Sequence, residues 1–379
     1  MRKRKLPRNY PERSPADVGN SAKIKKVSNK SKAPRTRTLE NCPICGERDT
    51  KHFFTSPDRL HGTPGDYKYD ICIRCRTVFQ NPMVVKEDLA LCYPPRYAPY
   101  NYNPEMPELN FEAGGKRGFF AGSREAIRRA IAKAVWSEPS PGVAGLTGRV
   151  LARSRLFRER AFYGIVHDEC LPNERGKYHA LDVGCGAGWM LKRLKQVGWR
   201  VEGIEWDEKA AKIAADRTGA RVWAGDFKEA DLPKGKYSLI HLSHVFEHFD
   251  EPLSLLERFY ELLAGNGRLV LIYPNPHSFD SRWFREYWYH WDPPRHLIFP
   301  TPESFTEHAR RLGFGNIKVN SIVAKHCWLN SKAYKMGRHP DENLPDLNFS
   351  ERLGYWYQRF ITRLGATAGS ELIVVLEKP

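Results

Sequence analysis

Three titratable side chains crowd the heptapeptide Ser243–Phe249, SHVFEHF. His244, Glu247 and His248 stand at i, i+3 and i+4, which is one face of a helical turn. Imidazole titrates near neutrality, so His244 or His248 is a candidate general base. The plainer reading is that Glu247 and His248 only tie a turn to the rest of the chain. A second group is Leu181–Met190, LDVGCGAGWM, in which Gly184, Gly186 and Gly188 alternate behind Asp182. Such a strand-to-helix turn lets a ligand approach backbone. A dinucleotide turn, G-x-G-x-x-G, needs glycine at the position held by Trp189. An acid just before the turn would repel a phosphate but pairs with an ammonium, which suits the methionine end of S-adenosylmethionine.

Further acids extend that expectation. Glu205 closes the next predicted strand and can accept both hydroxyls of a ribose. Asp226 in AGDF follows the third strand and can accept from an adenine amino group, with Phe227 packing on the purine face. Trp206 and Ser243 complete the predicted cofactor contacts. Nearer the start, Cys42-Pro-Ile-Cys45 and Cys72-Ile-Arg-Cys75 are two C-x-x-C knuckles. Their four thiolates can close a tetrahedron around structural Zn²⁺, which leaves no open position for catalysis.

The elements that must position these groups can be read from periodicity. From Tyr178 the chain alternates strand and helix, which argues for a parallel sheet covered on both faces, with the ligand beyond the carboxyl ends of the strands. Strands are expected at 179–183, 200–204, 221–223, 239–243, 268–273, 317–323 and 372–377. Helices are expected at 189–197, 208–217, 252–263 and 303–312, with a helical insertion at 329–364. Upstream, 122–136 and 147–170 are patterned as helices around a loop at 139–148. The first carries an apolar stripe flanked by basic residues, a surface helix or one that rests on an anionic membrane. The tyrosine-rich stretch after Cys92, with Tyr93, Tyr97, Tyr100 and Tyr102, reads as an extended connector or a lid. Residues 275–302 are too long and aromatic for a plain connector, so they are expected to cover the acceptor. Tyr289, His290, Trp291, Asp292 and Arg295 are its candidate contacts.

Of the net charge of +17, a net of +10 lies in residues 1–41, whose Pro, Ser, Asn and Lys bias predicts a disordered basic tail. Such a tail can hold nucleic acid by counterion release. The apolar runs are too short to cross a bilayer and no secretory leader is visible, so a soluble, cytoplasmic protein is expected. The expected organisation is a tail at 1–41, a zinc-ribbon module at 42–92, a connector and helical lid at 93–177, and a nucleotide-type domain at 178–379.

Through LDVGCGAG, VEGIEWD, AGDF and YSLIHLSHVFEH, the stretch from Tyr178 to Pro379 resembles the class I S-adenosylmethionine-dependent methyltransferases. CPIC to CIRC followed by VFQNP is similar to their zinc-ribbon subgroup, which implies a Rossmann-like seven-stranded sheet and a sugar, glycan precursor or secondary metabolite as acceptor. Ser238 departs from the aspartate usual in that family before the fourth strand. The Glu247-His248 pair, joined by His296, also resembles the divalent-ion site of some RNA-tail and quinone O-methyltransferases, although His244 stands where those relatives carry Glu. The resemblance thus implies methyl transfer to a hydroxyl or carbon of a small molecule. The alternatives are an RNA methyltransferase gripping its strand with ribbon and tail, and a module that binds the cofactor without catalysis. Neither an N-P-P-Y tetrapeptide after the fourth strand nor a Pro-Cys nucleophile is present for base methylation.

Overall fold

The computed structural model describes residues 32–94, 119–138, 140–162, 166–342 and 344–379. The expected tail up to residue 31 and the connector tyrosines Tyr97, Tyr100 and Tyr102 lie outside them. Residues 32–41, however, are ordered. Strand β1 (Thr36–Arg37) pairs antiparallel with β5 (Met83–Val84). Arg35 and Arg37 find carboxylates on Asp88 and Asp250, so these basic residues dock where the composition predicted disorder.

Three strands, β2 (Thr50–Pro57), β3 (Asp66–Cys72) and β4 (Val78–Gln80), form an antiparallel sheet that brings the two cysteine knuckles together. Its fourth strand comes from far downstream. There β11 (Ile298–Phe299) pairs with β4, so the aromatic segment 275–302 is built into this sheet.

Helices α1 (Phe119–Val135), α2 (Gly142–Leu151) and α3 (Arg155–Ala161) follow. Two expectations are corrected here. The loop expected at 139–148 is helical from Gly142, and the single helix expected to Cys170 is broken after Leu151 and Ala161. Gly148 lets the backbones approach: a Cβ on it would lie 2.6 Å from the Ala130 carbonyl carbon of α1. Close helix packing overrides the low helix propensity of glycine.

The large sheet contains β6 (His179–Val183), β7 (Arg200–Glu205), β8 (Arg221–Ala224), β9 (Tyr237–Ser243), β10 (Leu263–Pro274), β12 (Asn316–Ile322) and β13 (Glu371–Glu377), in the order β12-β13-β10-β9-β6-β7-β8. It is mixed, not parallel: β13 runs antiparallel to both β10 and β12. The connecting helices are α4 (Trp189–Gln196), α5 (Glu208–Thr218), α6 (Pro252–Leu262), α7 (Phe279–Phe284), α8 (Pro302–Arg311), α9 (Lys325–Lys335) and α10 (Phe349–Arg363). Alternate residues of β10 feed two cores. Val270 and Ile272 pack with Trp136 and Phe162 on one face. Leu269, Leu271 and Tyr273 pack with Leu255, Phe259 and Phe305 on the other. Both faces of β10 are therefore packed, and the site lies at the carboxyl edge of the sheet.

Candidate functional site

At that edge β6 runs into the glycine turn. Gly184, Gly186 and Gly188 all have positive φ, between +52° and +87°, and Gly188 starts α4. A Cβ on Gly184 would lie 2.4 Å from Val245 Cγ2, so only glycine fits against the neighbouring turn. The Gly184 and Cys185 N–H groups donate to the Ile204 carbonyl. Gly186 N–H donates to Glu205 Oε2 at 2.7 Å, and Asp207 N–H donates to Oε1. Glu205 thus holds the turn open while its burial raises the carboxyl above its ordinary value.

Asp182 is 3% exposed and accepts from His241 Nδ1 at 2.8 Å, while its Oδ2 accepts nothing. An orphaned buried carboxylate oxygen beside backbone of positive φ fits a cationic ligand group. Trp206, next to Glu205, leaves 55% of its surface open, and Ser243 at the end of β9 is half-buried. Asp226 accepts from Lys86 Nζ at 2.6 Å and from Lys228 N–H. Phe227 corrects an expectation: its ring is buried 4.9 Å from that of Phe259, under the guanidinium of Arg258, and has no face left for a purine.

The turn after β9 carries the titratable group. His244 adopts φ +54° and donates its N–H to the Ile272 carbonyl, so it precedes the short 3₁₀ turn Phe246–His248 instead of sharing a helical face with it. Its ring lies between two carboxylates, Nδ1 3.5 Å from Glu247 Oε1 and Nε2 3.5 Å from Glu371 Oε1. Burial alone would drive the proton from His244, but Glu371 and Glu247 outweigh it and hold its pKa well above the ordinary value. Glu247 is fully buried and neither of its oxygens accepts a hydrogen bond.

His248 and His296 meet Glu247 in a shared arrangement. His248 Nδ1 lies 2.7 Å from the Tyr93 hydroxyl and 3.0 Å from the Arg295 carbonyl, and His296 Nδ1 lies 2.8 Å from the His290 carbonyl. The carbonyl partner of His296 fixes its proton on Nδ1 and leaves Nε2 with its lone pair, and His248 takes the same tautomer when its Nδ1 donates to the Arg295 carbonyl. Burial, the largest influence on both, lowers the two imidazole pKa values. One ligand atom each from Glu247, His248 and His296 lies within 4.8 Å of the others. The four cysteines meet the same criterion, with Sγ–Sγ distances of 3.6 Å for Cys42–Cys75 and 3.5 Å for Cys45–Cys72.

The segment 275–302 presents some of the expected contacts and ties up the others. Arg295 is fully buried and its guanidinium is bound by Asp58, Asp292 and the Cys92 carbonyl. Trp291 is buried against Phe54, Trp288 and Phe299. Trp291 and Arg295 serve the joint between the two sheets, and Asp292 does so too while its Oδ2 lies 3.9 Å from His296 Nε2. His290 does reach the site, stacking on His244 with 5.4 Å between ring centroids, and Tyr289 lies beside it. Two residues of the site were missed from sequence. Glu371 is the one charge opening the apolar run ELIVVLE, and His241 interrupts LIHLS opposite Asp182. A titratable residue inside a buried strand was the available signal.

Residues 125–319 match a family model described as a methyltransferase domain. A ubiquinone biosynthesis O-methyltransferase from Marinobacter nauticus is 26% identical over 181 residues, covering 43% of this chain and 74% of the relative. Its namesake from Leptothrix cholodnii is 30% identical over 109 residues, covering 26% of this chain and 46% of the relative. A solved methyltransferase dependent on S-adenosylmethionine, from Archaeoglobus fulgidus, is 20% identical with a TM-score of 0.38, over 62% of this chain and all of that one.

Proposed function

The chain belongs to the methyltransferase-domain family, and on that footing we propose that it moves the methyl group of S-adenosylmethionine to a hydroxyl of a small molecule, with a divalent cation held by Glu247, His248 and His296. One observation carries this reading: two imidazoles, each with Nδ1 beside a backbone carbonyl, converge with a buried glutamate whose oxygens accept nothing. When bound, such an ion supplies Lewis-acid stabilisation of an alkoxide. In the proposed arrangement Asp182 takes the ammonium of the cofactor, Glu205 its ribose, Asp226 its adenine edge, and Trp206 and Ser243 flank it. The glycine turn orients the methyl, and the His244 turn, docked on Gly184 through Val245, sets the acceptor's distance from it. His244, held cationic between Glu247 and Glu371, keeps those carboxylates apart. His290 and Tyr289 face the acceptor.

The curated relatives named as O-methyltransferases support a hydroxyl acceptor. The cysteine set suits structural Zn²⁺. Transfer of labelled methyl from S-adenosylmethionine into fractionated metabolites, lipids, RNA and protein tests the proposal, run with and without chelator. Label in metabolites or lipids, lost on chelation and restored by Mg²⁺, Mn²⁺ or Zn²⁺, is expected. Label in RNA would overturn the acceptor class. Transfer indifferent to chelation would leave His248 Nε2 as a plain proton acceptor.

A further inference from the structure

A second set of donors lies on the other side of His244. Because β13 runs antiparallel, its first residue, Glu371, arrives at the carboxyl edge of the sheet opposite Pro274. His290 sits in the 3₁₀ turn Tyr289–Trp291, and His326 in the first turn of α9. These pieces are fixed to one another, since Tyr289 N–H donates to Ser331 Oγ of α9 at 2.8 Å. One ligand atom from each of His290, His326 and Glu371 lies within 4.8 Å of the others. His290 is 4% exposed and its Nε2 makes no hydrogen bond, although it stands 3.4 Å from Glu371 Oε1.

We propose that His290, His326 and Glu371 form a second cation site, made for a divalent first-row transition ion. Two imidazole nitrogens and one carboxylate oxygen favour Zn²⁺, Fe²⁺ or Co²⁺ over Mg²⁺ and Ca²⁺, which prefer oxygen shells. Ligand bonds of about 2.0–2.2 Å set neighbouring donors roughly 3–3.5 Å apart. The 3.4 Å between His290 Nε2 and Glu371 Oε1 already has that length. A bound ion would give the buried Nε2 the partner it lacks. His326 is half-buried, so a water or an acceptor oxygen can complete the shell of a bound ion. Through His244, which stands 3.5 Å from Glu371 on one side and 3.5 Å from Glu247 on the other, this set shares a wall with the Glu247 donors. It stands whether or not those donors bind an ion.

Cobalt titration of the chelator-stripped full chain tests the site, with bound ions counted by mass spectrometry and read by their d–d absorption. Cobalt at the cysteines is distinguished by its thiolate charge-transfer band, which together with far-UV circular dichroism also reports that a variant has folded. Wild type is expected to bind an ion free of thiolate character that His326→Ala and Glu371→Gln lose, or bind about 100-fold more weakly. Glu247→Gln should keep it. Wild type without such an ion, or folded variants that match wild type in count and affinity, would overturn the proposal. So would a single non-thiolate ion lost equally in Glu371→Gln and Glu247→Gln, because that ion would belong to one shared site.

Discussion

At Gly184 two constraints coincide, a φ of +69° and a missing Cβ that would press on Val245 at 2.4 Å. Val245 follows His244, so this contact spaces the cofactor turn from the acceptor turn. Gly184→Ala is expected to weaken cofactor binding at least about tenfold and to cost about 1–3 kcal/mol of stability through strain and overpacking. Calorimetry and thermal melting read the two effects. Adding Val245→Ala removes the collision and leaves the strained φ, so only part of the loss should return; an unaltered Gly184→Ala affinity would remove the cradle from the account. Phe227 gives the opposite kind of test. Packed on Phe259, it should respond to Phe227→Leu with about 1 kcal/mol of destabilisation in urea and less than a twofold change in cofactor affinity. A large affinity loss with stability intact would return the ring to the adenine. AGDF marks the end of the third strand, but which side of that end the ring of Phe227 takes depends on tertiary packing that no spacing encodes.

Among the elements, the order and extent of the strands were legible because apolar runs bounded by glycine, proline and acids mark them. The direction of the last one was not. ELIVVLE is apolar in either sense, and β12 already ends beside Glu371 at the carboxyl edge. The helices α9 and α10 stay at that edge, so the chain re-enters the sheet without crossing over it and must run antiparallel. Glu371 reaches the site for that reason alone. A buried network ties those helices to α7: Trp328 Nε1 donates to Gln358 Oε1, and Gln358 Nε2 donates to Asp280 Oδ1, each at 2.6 Å. Gln358→Leu would leave the carboxylate and the indole short of partners, at a cost of about 2–3 kcal/mol. Hydrogen exchange should then quicken in α9, which carries His326, before it does so in β6 or β9; uniform quickening would mean that the network stabilises the whole sheet and not this cap.

For the whole molecule, the cysteine-bearing sheet and the large sheet are joined through the segment that holds His296. Gln80 N–H of β4 donates to the Leu297 carbonyl, and Leu297 N–H donates to the Glu247 carbonyl, both at 2.8 Å, so the small sheet sets the position of His296 against Glu247. The joint is locked by Arg295, whose guanidinium makes two 2.8 Å bonds to Asp58 in the loop after β2. Burial alone would raise the Asp58 carboxyl, but the hydrogen bonds and charge of Arg295 outweigh it and hold its pKa well below the ordinary range. Because the folded pKa is depressed, the stabilisation is complete above the unfolded value near ~4 and is lost as pH falls through the folded one. Asp58→Asn strands a buried guanidinium against one remaining carboxylate, Asp292, and should cost about 3–5 kcal/mol. Measured by urea unfolding, the gap between wild type and Asp58→Asn should be constant from neutral pH down to about 5 and narrow below about 4. A gap that persists undiminished at lower pH would assign the loss to packing instead of charge. Turnover should fall with the joint while cofactor affinity holds, since the glycine turn follows β6 and is held by Glu205, away from Arg295 and Asp58.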